Sequence, residues 1–216
     1  MINWYNEVSR DIKKIPECIK YFETELNNAK REVRIYGNLE KASASLPGIV
    51  EERFGQLQQI EAVNVYSIPS SLLNSIQKTF PNTQIKCNST ILIEQLLLEN
   101  DGEKVKVFAS VKKDLLEVCI IENKNLAFHN CFNCKTKEDI LYYLLFTMEQ
   151  LGLSAEKTNL ILLDDILISD ASYQLLHDYV RNISFGVRPN NLNYAEQLQG
   201  LKSHQYFSLF SQLLCA

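Results

Sequence analysis

The spacing of apolar residues changes character along the chain. Up to about residue 62 it is helical, with Ile12, Ile15, Ile19, Phe22, Leu26, Ala29 and Val33 three or four apart on one stripe. Pro16 interrupts that stripe, Gly37 and Pro47-Gly48 punctuate the residues after it, and a second helix is expected from about Ile49 to Ala62. From Val63 the period shortens. Val63 to Ile68 reads as a buried strand closed by Pro69, followed by a helix from Ser71 to Phe80, a strand from Gln84 to Cys87 and a helix from Thr90 to Glu99. The turn tripeptide Asn100-Asp101-Gly102 then separates this β-α-β-α stretch from the rest.

Beyond the turn, Lys104 to Val111, Leu115 to Glu122 and Asn125 to Phe132 predict an antiparallel meander. Thr136 with Asp139 three residues on resembles a capping box, opening a helix to Leu151 that stops at Gly152. Leu160 to Leu163 has the continuous apolar character of a buried parallel strand. A helix from Ala171 to Arg181, a strand from Ile183 to Phe185 and a helix from Ser203 to Cys215 complete the pattern. The fold class expected is α/β in three parts: a helical segment over 1–62, a partial lobe over 63–100, and a lobe of order β-β-β-α-β-α-β-α over 103–216.

Composition narrows the partners. A hydrophobic content of 46% in 216 residues suffices for a packed core, and a formal charge of -4 offers no overall attraction to nucleic acid or anionic lipid. The N-terminus Met1-Ile2-Asn3-Trp4-Tyr5 lacks the basic start and apolar run of a signal peptide, and apolar stretches such as Leu141 to Phe146 fall short of the roughly 20 residues that cross a bilayer. Six cysteines (Cys18, Cys87, Cys119, Cys131, Cys134 and Cys215), mostly within apolar segments, suit reduced thiols in a cytoplasm.

The element order of the last part is that of ribonuclease H-like lobes, which occur twice in actin-like ATPases. The runs KEDILYYLLF from Lys137, EQLGL from Glu149, YVRNISFG from Tyr179 and HQYFSLF from His204 closely resemble an uncharacterised Bacteroidota family with an actin-like fold and no assigned function. The resemblance covers about Ala62 to Ala216 and implies that Val63 to Asn100 is the end of a first lobe, whose three opening strands are replaced by the helical segment. A second resemblance lies in GNLEKASASLPGIVEERFGQLQQIEA from Gly37, which looks like the front of recombination mediator proteins of tailed phages. Such mediators oligomerise and bind single-stranded DNA. That likeness implies a fusion joined near Glu61 to Val63, with Lys30, Arg31, Arg34, Lys41 and Arg53 as phosphate contacts on the helices.

The chemistry an actin-like ATPase needs is missing. Val105 to Ala109 carries no acid to hold metal-bound water, and Ser110-Val111-Lys112-Lys113-Asp114 carries no glycine to bring backbone amides against phosphate. Asp164 and Asp165 form a carboxylate pair at one strand end, too few for two-metal catalysis, and read as a solvated terminus. His129, Cys131 and Cys134 have the one metal-like spacing, His-x-Cys-x-x-Cys. They lack a fourth ligand or a second spaced pair, so no metal site is expected. Cys134 precedes a helix N-terminus that would lower its thiol pKa, but packing at a strand end is the simpler reading. His177 and His204 have no nucleophile motif nearby and read as ordinary helix residues. Tyr142, Tyr143, Phe146, Tyr206, Phe207 and Phe210 sit at core spacing.

The sequence thus points to a non-catalytic interaction or scaffold protein without cofactor, binding a protein partner or itself. The alternatives are a single-stranded DNA-binding recombination accessory acting through the N-terminal helices, and an actin-like ATPase.

Overall fold

A computed structural model describes residues 33–36, 50–60, 62–99, 105–190 and 192–214. The chain divides into two compact units, residues 1–90 and 91–215.

In the first unit, β1 (Val33–Tyr36), β2 (Val50–Leu57) and β3 (Ala62–Pro69) form an antiparallel sheet in the order β1-β3-β2. This overturns the helix expected over 49–62 and the helical reading of Val33: β1 and β2 flank β3, the strand expected at Val63 to Ile68, and the rest of the helical stripe lies outside the described residues. The segment from Val50 carries good helix formers, but its backbone pairs residue for residue with β3 beyond the turn at 58–60, and tertiary pairing overrides a weak local preference. Pro69 ends β3, and α1 (Ser70–Thr79) follows at once. Tyr66, Ile68, Leu72 and Leu73 pack together with Ile76, Ile85 and Cys87 beside them. Gln84 to Cys87 is not the strand expected: it is irregular chain, held where the Tyr66 hydroxyl donates to the Ile85 carbonyl at 3.1 Å. The division between units falls within α2 (Asn88–Glu99), whose Asn64–Thr90 side-chain bond of 2.8 Å belongs to the first.

The second unit is built on a five-stranded sheet. Its strands are β4 (Val105–Lys112), β5 (Leu115–Glu122), β6 (Asn125–Asn133), β7 (Asn159–Asp164) and β8 (Asn182–Phe185), in the order β6-β5-β4-β7-β8. The first three form the antiparallel meander, while β7 runs parallel to both β4 and β8. The parallel pairs require crossovers, provided by α3 (Lys137–Gln150) and α4 (Ala171–Tyr179).

Both ends of α3 are fixed by the residues that announced them. The Thr136 hydroxyl accepts from the Asp139 amide at 3.2 Å, and the Asp139 carboxylate accepts from the amides of Thr136 and Lys135. At the other end Gly152 takes φ +66°, Gly152 N–H donates to Glu149 O, and Leu153 N–H donates to Met148 O, a Schellman closure. The buried face of α3 (Ile140, Leu144, Met148) packs with Leu176 of α4 on one side of the sheet, against Val107, Ala109, Val111, Leu116, Val118, Ile120, Leu160 and Leu162. Each fully buried side chain of this kind stabilises the fold by about 1.5–3 kcal/mol.

The C-terminal helix is shorter than expected. Only Phe207–Ser211 is α-helical (α5), with a 3₁₀ turn over Gln212–Leu214, because Tyr206 sits at φ +56° and breaks the run beginning at Ser203.

Candidate functional site

Strand alternation sends every second residue of β4, β5 and β6 to the face opposite the α3 core, where buried polar residues lie beside Phe108, Cys119 and Ile121. Ser110, Glu117 and Cys131 pair across the three strands in one row, and Phe108, Cys119 and His129 form the next. Ser110 and Glu117 are only 1% and 2% exposed. Charge buried to this degree must be paired or hydrogen-bonded.

The network centres on Asp164 at the carboxyl end of β7, where open α/β sheets generally place ligands. Asp164 is 2% exposed and adopts φ +66°, a left-handed conformation that Asp tolerates better than most residues. That backbone kink turns its carboxylate inward. Oδ2 accepts from the hydroxyls of Ser110 at 2.5 Å and Ser208 at 2.6 Å, and Oδ1 accepts from the Ser208 amide at 2.9 Å. The Lys112 ammonium lies 3.7 Å from Asp164 Oδ2 and 4.0 Å from Glu117 Oε2, shared between two carboxylates. Glu117 Oε1 in turn lies 2.9 Å from His129 Nε2. One connected path therefore runs from α5 through β7, β4 and β5 to β6.

Asp164 is thus not the solvated terminus expected from the sequence. Its neighbour Asp165 is exposed, with its amide on the Val111 carbonyl, and partial burial followed by the charge of Asp164 pushes its carboxyl up. His204 is not a helix residue: it lies in the turn before α5, buried, its carbonyl accepting from the Asp164 amide and its Nε2 2.6 Å from the Ile166 carbonyl. His177 is exposed on α4.

His129, Cys131 and Cys134 do not act as one group. The first two share a face of β6, while Cys134 lies past the strand end in the α3 core. Burial, then the charge of Asp139, raises the Cys134 thiol to about 11, so the lowering expected from the helix N-terminus does not occur. Cys119, fully buried, is raised well above its ordinary value by desolvation, then by Glu117 and Cys131.

The aromatic residues expected in the core divide. Phe207 is buried, but Tyr142, Phe146 and Tyr206 are 60%, 46% and 43% exposed. Tyr142 and Phe146 stack on the outside of α3 with ring centroids 5.9 Å apart. Of the basic set, Lys30, Arg31 and Lys41 lie outside the described residues. Arg34 and Arg53 are in strands, opposite Val65 and Tyr66 of β3, rather than on a helix face.

Sequence reasoning missed Ser110, Lys112, Glu117 and Ser208. The available signal was Glu117, a single acid inside the apolar run of β5.

Residues 49–183, well over half the chain, match the family described as protein of unknown function, DUF3822. The chain belongs to that family. The match crosses Glu61 to Val63, where a fusion join was expected, as does the β2–β3 ladder. Among solved structures, the DUF3822 chain is similar to a protein from Bacteroides thetaiotaomicron with an actin-like ATPase fold and unknown function. The TM-score is 0.69 at 19% identity, over 85% of this chain and 70% of that one. It is also similar to a structure of the PilM-PilN type IV pilus biogenesis complex, with TM-score 0.55 at 12% identity, over 85% and 75% of the two chains. No curated protein matches. At these identities the likeness is one of fold, and the fold is the α/β, actin-like one expected from the element order. No described helix is long and apolar enough to cross a membrane.

Proposed function

We propose that this DUF3822 chain is a non-catalytic protein-binding module on an actin-like fold, acting in the cytoplasm without bound nucleotide. The observation that carries this reading is the closure of Asp164. At the sheet end where a ligand would sit, its oxygens are taken up by Ser110, both donors of Ser208 and Lys112, all from the chain itself. A nucleotide or its metal would have to displace buried hydrogen bonds, each expensive to leave unmade. The neighbouring turn at Lys113 and Asp114 contains no glycine to bring amides against phosphate.

Protein binding is supported by the stacked, exposed Tyr142 and Phe146, since aromatic side chains are enriched in interface centres. The PilM-PilN neighbour is itself in a complex of two proteins. A cytoplasmic site fits the free thiols of Cys87, Cys119 and Cys134. Single-stranded DNA binding, and with it the likeness to phage mediators, is the weaker reading, because Arg34 and Arg53 are held in a sheet.

The test is thermal unfolding with and without millimolar magnesium-ATP, alongside phosphate release. The expected result is an unchanged midpoint and no turnover. A midpoint that rises with micromolar ATP would overturn the proposal.

A further inference from the structure

We infer that Glu117, His129 and Cys131 form a site for a zinc-like transition-metal ion, with three protein ligands and water at a fourth position. The sequence offered His129, Cys131 and Cys134 short of a fourth ligand; the fold removes Cys134 from the group and adds Glu117 from the adjacent strand. Glu117 lies directly opposite Cys131 in the β5–β6 ladder, and His129 precedes Cys131 by two residues, on the same face.

One ligand atom from each of the three lies within 4.8 Å of the others, and His129 Nε2 is 2.9 Å from Glu117 Oε1. Around a tetrahedral zinc ion such atoms stand roughly 3.3–3.6 Å apart, given the usual bond lengths to sulfur, nitrogen and oxygen. The thiol must therefore draw in and the imidazole and carboxylate part slightly. Rotation about side-chain bonds accomplishes both while the ladder holds the backbone.

The donor set selects the ion. A thiolate with an imidazole and one carboxylate suits Zn²⁺ or Co²⁺, whereas Ca²⁺ and Mg²⁺ require oxygen shells. A thiolate and a carboxylate balance a divalent charge. Lys112, 4.0 Å from Glu117, retains its nearer contact with Asp164 when the ion binds. The Glu117 and His129 side chains are 2% and 4% exposed, while Cys131 is half-buried, so the ion enters past the thiol. Cys119 sits opposite His129, but its sulfur is not in the group formed by Glu117, His129 and Cys131, and the fourth position is left to water. Cys134, in the core on the other side of the sheet, takes no part.

On binding, Cys131 releases its proton to solvent and coordinates as thiolate. His129 coordinates through Nε2 as neutral imidazole with its proton on Nδ1. The contact between Nε2 and Glu117 is replaced by a bond from each to the ion. Affinity therefore falls as pH drops.

Chelator-treated full-length protein titrated with Co²⁺ provides the test. The expected result is intense visible d–d absorption of four-coordinate cobalt with a near-ultraviolet thiolate-to-cobalt band, saturating at one equivalent and bleached by Zn²⁺. Cys131→Ser, a conservative change at a half-buried position, should abolish the thiolate band. Glu117→Gln should weaken binding by at least about tenfold. Cys134→Ala should titrate like the wild type. Weak, unsaturable cobalt absorption in the wild type, or an unchanged thiolate band in Cys131→Ser, would overturn the site.

Discussion

Asp164 shows how far a single residue's meaning depends on partners distant in sequence. Asp164-Asp165 was visible as an acidic pair, but Ser110 and Ser208, which define its role, lie 54 and 44 residues away. Nothing in local composition connects them. The carboxylate satisfies three donors and faces Lys112, so Asp164→Ala leaves all of them short of an acceptor. We expect a loss of about 3–5 kcal/mol in urea unfolding, toward the lower end because the Lys112 side chain is 27% exposed. Part of that loss is backbone strain, since φ is +66°. Asp164→Gly relieves the strain without restoring the acceptor, and should recover only about 1 kcal/mol of the deficit. Tolerance of Asp164→Ala within about 0.5 kcal/mol would mark the site as ordinary surface and remove the basis for calling it closed.

At the level of elements, legibility depended on whether local and tertiary signals agreed. They agree in β4, β5 and α3. The alternation of β4, the apolar run of β5, the Thr136–Asp139 box and the Gly152 stop each name the structure that packing then uses. They conflict in β2, where Glu51, Glu52, Arg53, Gln56 and Leu57 favour helix and pairing with β3 imposes strand. Hydrogen exchange distinguishes the two. A helix over 50–57 would protect its amides continuously after the first turn. An edge strand bonded on one side, which is the place of β2 in its sheet, protects alternate amides. We expect the alternating pattern, and uninterrupted protection would count against the sheet.

At the scale of the whole chain, the second unit places Cys134 and Cys119 on opposite sides of one sheet, both away from water. Cys134 belongs to the α3 core and Cys119 to the opposite face, 4% and 1% exposed. The sequence suggested reduced, packed thiols from their apolar surroundings, but it did not indicate that folding would oppose their ionisation. The consequence is an alkaline limit on stability. Unfolded, both thiols lose their protons near the ordinary value of 9, whereas folded Cys134 holds its proton to about 11 and Cys119 is shifted in the same direction. Between those values the native state binds more protons than the unfolded state, so the unfolding free energy decreases as pH rises; below 9 both states are protonated and the term is constant. Urea midpoints measured at about pH 8, 9 and 10 should therefore fall more steeply for the wild type than for Cys134→Ala. The comparison rests on slopes, because alanine also removes packing atoms and lowers the midpoint at every pH. Parallel slopes would mean that water reaches Cys134 freely, which its place among Ile140, Leu144 and Leu116 in the core excludes.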